Sequence, residues 1–421
     1  MSVVQETSPA GRGLCFEDVI APVSAEEFFA GYWERRHLIL HRDDPAHYGP
    51  LFSFADVDRW IAASQGNPAE LLLVVPPPGS GRKTERKRLR DVNLGQLYAA
   101  FHAGNTLVLE DIQKSWPPVA QLAASLAEAF SARVNVNLYM TPANAQGAPL
   151  HPDVQDVFVL QMDGVKDWYL YEQREEICLE GLTYLKELRT GIKPQREEPP
   201  LIDRTTLRQG DFLYIPRGLP HKAVAPVDSP SLHLTVCITP VSWVDFLKAA
   251  VEVASIDQPE LARAVSPGFV NRPESREELA AQFADMLGRF AEAASYERTL
   301  HTIVRSRLQT PHYPADGHFA QLVRLGEIGL DTLVRRRAGM TPIVESGESG
   351  AVIRFAGSVV GGPAAMGPAL GHIRDHEHFR VRDLPGLLDD ASKAVLVRRL
   401  VREGLLRAEI DDTGEDTASQ D

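Results

Sequence analysis

The chain has 421 residues, 44% of them hydrophobic and 24% charged, which permits two or three domains with cores of their own and excludes fibrous or disorder-dominated classes. The formal charge of -13 repels nucleic acid on average, so contact with it would require a local basic patch. No apolar run approaches the ~20 residues that span a bilayer, MSVVQETSPAGRGLCFEDVI lacks a signal-peptide layout, and Cys15, Cys178 and Cys237 form no CxxC. The expectation is a cytoplasmic protein with no membrane association, no disulfide framework and no thiolate zinc site.

PVSAEEFFAGYWERR sets Ser24 as an N-cap before acids in the first turn, and SFADVDRWIAASQ repeats the pattern from Ser53, so a helical preface is predicted. RKTERKRLR, from Arg82 to Arg90, reads as a solvated charged loop or helix face; steering toward a ribonucleoprotein or another acidic surface is the alternative. From about residue 105, short β-branched runs take over (TLVLEDI, VNVNLYM, DVFVLQM, KDWYLYE, DFLYIP, KAVAPV, SLHLTVCITP), with the amphipathic PPVAQLAASLAEAF among them. Such runs, bounded by Pro, Gly and Asp, indicate a sandwich or barrel and not βαβ units. After Pro240 helical periodicity is expected to about residue 335. AVIRFAGSVVGG and FRVRDLPGLLDD then read as strands with turns, and ASKAVLVRRLVREGLL as a helix closed by Gly404, which together suggest a winged-helix-like unit. The predicted division is a β core with its helical preface over 1–248, a helical domain over 249–335, the winged-helix-like domain over 336–411 and a disordered tail over 412–421. Trp168 and Trp243 are read as core.

APLHPDVQDVFVLQMDGVKDWYLY, residues 148–171, carries the chemistry. His151 and Asp153, two apart on a strand, share a face and can close on one ion. His221, after the strand end and Pro/Gly turn of GDFLYIPRGLPH, completes a facial triad of two His and one carboxylate, an arrangement suited to Fe(II) with positions left for a chelating substrate and oxygen. A second pair, His41-Arg42-Asp43, runs into the Pro-rich DPAHYGP and reads as a surface loop; it lacks the residues a kinase catalytic loop requires. HIRDHEHF, with His372, His376 and His378, reads as a solvated turn.

Asp163-Gly164 is a two-residue hairpin signal that pairs Gln161 with Lys166 and puts Lys166 on the face of Val157 and Val159. On an unbroken strand Lys166 would then lie roughly 26 Å from Asp153, at about 3.3 Å per residue. Either Lys166 is unrelated to the metal, or the chain bends between Val154 and Asp156; the bend is the favoured reading, since barrels curl their strands, and it would make the lysine a fixed cation for the far end of a dicarboxylate.

The run from Asn137 to Tyr171, with GDFLYIPRGLPH and SLHLTVCITP, resembles the JmjC-type, cupin-fold 2-oxoglutarate oxygenases, and among them the ribosomal oxygenases. The resemblance implies a mainly β double-stranded β-helix with helical additions, then a helical dimerisation domain and a C-terminal winged helix. It implies that His151, Asp153 and His221 hold Fe(II), that Lys166 binds the distal carboxylate of 2-oxoglutarate, and that Asn137 and Tyr139 line the pocket. Pro152 and the Gly164-Val165-Lys166-Asp167 flank depart from the family pattern. On SLHLTVC, His233, Thr235 and Cys237 share one face, where His233 and Cys237 are read either as neighbours of the co-substrate or as core.

The expected activity is hydroxylation of a C–H bond on an amino-acid side chain of a protein, by resemblance a ribosomal protein, with 2-oxoglutarate and O2 consumed and a homodimer as the assembly. The alternatives are the same chemistry on a peptide natural product, demethylation, and a non-catalytic cupin or winged-helix binding protein using Arg398, Arg399 and Arg402; the acids of LLDD and the overall charge oppose the last.

Overall fold

The computed structural model describes residues 13–410 apart from 65–70, 78–79, 82, 89–90, 92, 174–197, 266, 273–274, 309–316 and 338. Cys178, Arg82 and Arg90 therefore lie outside the described residues. The chain divides into two compact units, one ending at Pro240 and one beginning at Val241.

The first unit is a β core with helical additions. Its strands are β1 (Leu38–Leu40), β2 (Leu71–Val75), β3 (Glu85–Arg88), β4 (Thr106–Leu109), β5 (Arg133–Thr141), β6 (Asp156–Tyr171), β7 (Leu201–Arg208), β8 (Phe212–Ile215), β9 (His221–Val224) and β10 (Ser231–Thr239). The main sheet runs β1-β8-β6-β10-β5-β4-β2-β3, and the far half of β6 also pairs with β7 and β9. Period-two alternation sorts the side chains: Leu232, Leu234 and Val236 pack with Phe158, Leu160 and Leu138 into the larger apolar core, and His233, Thr235 and Cys237 face the other way, toward a cavity. The helical preface is present, over Ala25–Gly31 with Ser24 Oγ accepting from Glu27 N, and over Phe54–Ser64. Phe28 packs edge-on against Phe158 and Tyr214, which fastens the preface to the sheet.

The hairpin expected at Asp163-Gly164 does not form. β6 continues through it for 16 residues, and its register against β10 slips there, with His233 opposite Gln161 but Leu232 opposite Asp163. The turn chemistry is spent on a bulge: Gly164 takes φ +63°, Asp163 Oδ1 accepts its N–H at 2.6 Å, and a Cβ at this position would collide with the Pro230 carbonyl oxygen. One extra residue inverts the phase of the strand. Odd positions Val157 and Val159 before the bulge and even positions Trp168 and Leu170 after it consequently join the same smaller core. Lys166 thus reaches the face anticipated for it, by a different route.

In RKTERKRLR, Glu85–Arg88 form the edge strand β3 and neither loop nor helix. The second unit begins with helices Trp243–Asp257, Ser275–Ala293, Tyr296–Leu308 and His318–Val323. Helical structure stops earlier than expected, since Leu333–Arg336 is already a strand, paired on either side with His378–Arg380 and Leu406–Glu409. A second three-stranded sheet spans Ile343–Gly362, and Asp390–Arg402 is helical, with Gly404 at φ +90° just beyond it. Trp243 is 75% exposed, contrary to the core reading, because it opens a helix capped by Ser242 whose apolar side is left uncovered within its unit. Among the described residues no helix is long and apolar enough to cross a membrane.

Candidate active site

His151 and His221 are cross-strand partners in an isolated bridge just before β6 and at the start of β9, with both backbone bonds made (His151 N to His221 O 3.2 Å, His221 N to His151 O 2.9 Å). The bridge uses the N–H and C=O of His151, so Pro152 interrupts no ladder bond. The backbone then bends at Val154 and Gln155 before β6 starts at Asp156, as the distance argument favoured. Asp153 is held over the pair by Gly218 N donating to its carbonyl at 2.8 Å.

The donor atoms converge. One ligand atom from each of His151, Asp153 and His221 lies within 4.8 Å of the others, the sole such cluster among the described residues. The Nε2 atoms of His151 and His221 lie 3.7 and 3.5 Å from the two Asp153 oxygens. Each imidazole donates its Nδ1–H to a carbonyl, Pro149 O at 2.7 Å and Leu219 O at 3.0 Å, which leaves the Nε2 lone pair free toward the centre. Burial, more than the neighbouring groups, holds His221 below its ordinary pKa and hence neutral. Two imidazoles and a carboxylate on one side of an ion suit a divalent metal with open positions.

The cluster opens into a cavity of about 370 Å³ walled by β4, β5, β6, β9 and β10. Lys166, 2% exposed, lines it, and Nζ donates to Thr141 Oγ1 at 2.6 Å. No carboxylate pairs with this ammonium among the described residues, and desolvation alone pushes its pKa down to about 7. Asn137, Tyr139, His233 and Cys237 line the same cavity, so every site residue expected from the sequence meets there. Tyr139 stacks on His233 at 5.0 Å, and burial, then the nearby Lys166, drives the His233 pKa well below its ordinary value. Burial also pushes the Cys237 thiol up to about 12, which keeps it a neutral wall group. Asn137 Oδ1 accepts Asp111 N at 3.0 Å, a loop-fastening role.

Sequence reasoning missed Thr141 and the second role of Trp168. Thr141 is two residues past Tyr139, on the same face of β5 as Asn137, so alternation alone would have found it. Trp168 is buried as expected, but it also walls the cavity between His221 (5.9 Å) and His233 (5.7 Å). The decoy pair stays apart: His41 Nδ1 bonds Asp211 Oδ2 at 2.9 Å, and the Arg42 guanidinium ties down the carbonyls of Val19 and Ala21. His372 stacks on His376 at 3.9 Å in the second unit, with no cluster of three metal ligands there among the described residues.

A cupin-like β cavity that holds two histidines, an aspartate and a buried lysine defines the class of site. Residues 111–246 match the family model described as JmjC domain. The protein is 32% identical over 264 residues to human ribosomal oxygenase 1, covering 61% of this chain and 40% of that protein. It is 30% identical over 234 residues to the bifunctional lysine-specific demethylase and histidyl-hydroxylase NO66 of Aedes aegypti, covering 55% and 36%. The match thus spans about two fifths of the length of these relatives. In fold it is similar to the Escherichia coli ribosomal oxygenase YcfD in complex with cobalt and 2-oxoglutarate (TM-score 0.54, 15% identity, covering 92% of this chain and 99% of that one).

Proposed function

We propose that the protein is an Fe(II)- and 2-oxoglutarate-dependent oxygenase that hydroxylates a C–H bond on a side chain of a protein substrate, a ribosomal protein by kinship with the ribosomal oxygenases. The observation that carries this reading is the buried Lys166, without a carboxylate partner among the described residues, in the same cavity as the His-Asp-His cluster. An ammonium held below its ordinary pKa by desolvation gains most from an incoming carboxylate, and a dicarboxylate long enough to reach the cluster satisfies both ends of the cavity.

In this mechanism His151, Asp153 and His221 hold the metal, with both histidines kept in the ligating tautomer by their carbonyl partners. The metal, when bound, supplies the oxygen chemistry that couples decarboxylation of 2-oxoglutarate to C–H hydroxylation. Lys166 binds the distal carboxylate with Thr141 as its neighbour, and Tyr139 and Asn137 shape the pocket, with His233 and Cys237 behind the co-substrate. Trp168 excludes water between the two ends. Glu110, Asp111 and Gln155 line the same cavity.

A homodimer in the cytoplasm is part of the proposal. Its support is the run Trp243, Leu247 and Val251, exposed at i, i+4 and i+8 on one helix, with Phe283 and Leu287 exposed on another. The winged-helix-like assignment of 336–411 rests on the sheet of Leu333–Arg336, His378–Arg380 and Leu406–Glu409 beside helix Asp390–Arg402. The name of the NO66 relative keeps demethylation as a second outcome of the same site.

The test is succinate formation by purified protein given Fe(II) and 2-oxoglutarate, followed by mass spectrometry of ribosomal proteins from a deletion strain. Loss of a one-oxygen mass increase on one ribosomal protein is expected. Absence of succinate, together with metal binding unchanged in His151→Ala, refutes the oxygenase; formaldehyde release identifies demethylation.

A further inference from the structure

The carboxylate of Asp156 has no part in this mechanism, although it follows closely on Asp153 in the chain. It opens β6 and is fully buried. Its Oδ1 accepts two hydrogen bonds, from Tyr214 OH at 2.7 Å and from Arg217 N at 3.3 Å. Its Oδ2 has no hydrogen-bond donor among the described residues and stands 3.9 Å from Arg217 Nε. A carboxylate so placed is poorly compensated for the water it gives up, and desolvation is the chief cause of its raised pKa. Stability is therefore a poor account of why an acid stands here.

What Asp156 holds is the turn that delivers His221. Residues 216–220 join β8 to β9, and successive amides of that turn are committed: Arg217 N to Asp156 Oδ1, Gly218 N to the Asp153 carbonyl at 2.8 Å, and Leu219 N to the Pro216 carbonyl at 3.1 Å. Leu219 O in turn accepts from His221 Nδ1 at 3.0 Å. The Arg217 and Gly218 amides thus close on the two ends of the stretch 153–156, and the loop carrying Asp153 is laced to the turn carrying His221. On the far side the Arg217 guanidinium is anchored by Glu34, whose backbone stands at φ +54° and whose N–H donates to Tyr214 OH at 2.8 Å. A non-glycine residue in that region persists where its surroundings over-determine it. We infer that Asp156 is a positioning residue for the metal site: through Arg217 N and Tyr214 OH it sets the spacing of Asp153 and His221, whose Oδ2 and Nε2 lie 3.5 Å apart, without itself reaching the ion. The inference rests on the metal site of the proposed function.

The experiment is titration of the whole chain with Mn(II), followed by electron paramagnetic resonance, together with the visible absorption spectrum of the Co(II) form, whose bands report ligand geometry. Asp156→Val keeps a strand former at this position but no acceptor, and should weaken Mn(II) binding about 10- to 100-fold and alter the Co(II) spectrum. Asp156→Asn retains the Oδ1 acceptor and should bind Mn(II) as wild type does, with the same Co(II) spectrum, an outcome that a role for the charge alone would not give. Tyr214→Phe keeps the ring against Phe28 and Phe158 and removes one of the two donors to Oδ1, so it should fall between, and it decides the matter if the valine variant does not fold. Mn(II) affinity unchanged in Asp156→Val, or in Tyr214→Phe where the valine variant is unfolded, overturns the inference and leaves the metal site standing, as does an asparagine variant as weak as the valine one. A wild type that binds no Mn(II) overturns the metal site and this inference with it.

Discussion

Lys166→Met separates stability from binding with opposite signs. In the empty cavity the ammonium is disfavoured: its pKa of about 7 stands some 3.5 units below the ordinary 10.5, and at about 1.36 kcal/mol per unit, allowing for half-ionisation near pH 7, the penalty is ~4 kcal/mol. Methionine fills similar space without charge, at the loss of one hydrogen bond to Thr141, worth about 1 kcal/mol. The variant should therefore be more stable by ~2–4 kcal/mol, with Tm raised by roughly 5–10 °C. Because the folded pKa lies below the unfolded one, the unfolded protein holds a proton that the folded protein lacks between about pH 7 and 10.5. Wild-type stability should rise with pH across that window, and the variant should lose the rise. Binding moves the other way, since an inbound carboxylate left without its cation costs ~3–5 kcal/mol, a loss of about 10² to 10³ or more in 2-oxoglutarate affinity. Scanning calorimetry from pH 7 to 10 and titration calorimetry with 2-oxoglutarate and Mn(II) read the two effects. A variant less stable than wild type that binds 2-oxoglutarate as tightly would refute the account of this lysine.

Asp156, buried beside Tyr214 (OH to Oδ1, 2.7 Å) and Arg217, has its pKa raised to about 6, chiefly by desolvation. Its folded pKa exceeds its unfolded one, so stability should fall as pH rises from about 4 through 6; Asp156→Asn should abolish that slope and gain ~2 kcal/mol at pH 7, read by urea unfolding at several pH values. Gly164→Ala forces a Cβ onto Pro230 O and strains a positive φ; a loss of ~3 kcal/mol or more is expected, with weakened 2-oxoglutarate binding as the bulge that aims Lys166 relaxes. Asp153→Asn should leave Tm within a few degrees but reduce Mn(II) affinity at least tenfold by electron paramagnetic resonance. Trp243→Glu should shift the species seen by light scattering from dimer to monomer without loss of helix; an unchanged mass would count against that face as the interface.

Much of the site was legible in the residues themselves. The His233, Thr235 and Cys237 face followed from alternation, because in a sheet the side-chain period is a local property of the backbone; His151 and Asp153, expected on one strand, converge instead in the stretch before β6, where His151 is held by an isolated bridge. The bend near Gln155 was expected from the reach of an extended strand combined with a hairpin at Asp163-Gly164; the bend is present and the hairpin is not. The position of Trp243 was not legible, since an aromatic at a helix start has the same local pattern whether or not another surface covers it.

What the sequence determined by itself was the set of chemical groups and the faces they occupy, together with a turn signal at Asp163-Gly164. Whether that signal made a hairpin or a bulge was decided by the tertiary structure, because the choice depends on what lies against it. Pro230 O sits where a Cβ at residue 164 would be, and β10 runs alongside the full length of the crossing, so pairing with β10 on one side and β7 on the other makes straight continuation the better-bonded path. The phase inversion that results carries Lys166 to the cavity wall opposite the His-Asp-His cluster, and no local rule in the sequence contains that long-range register.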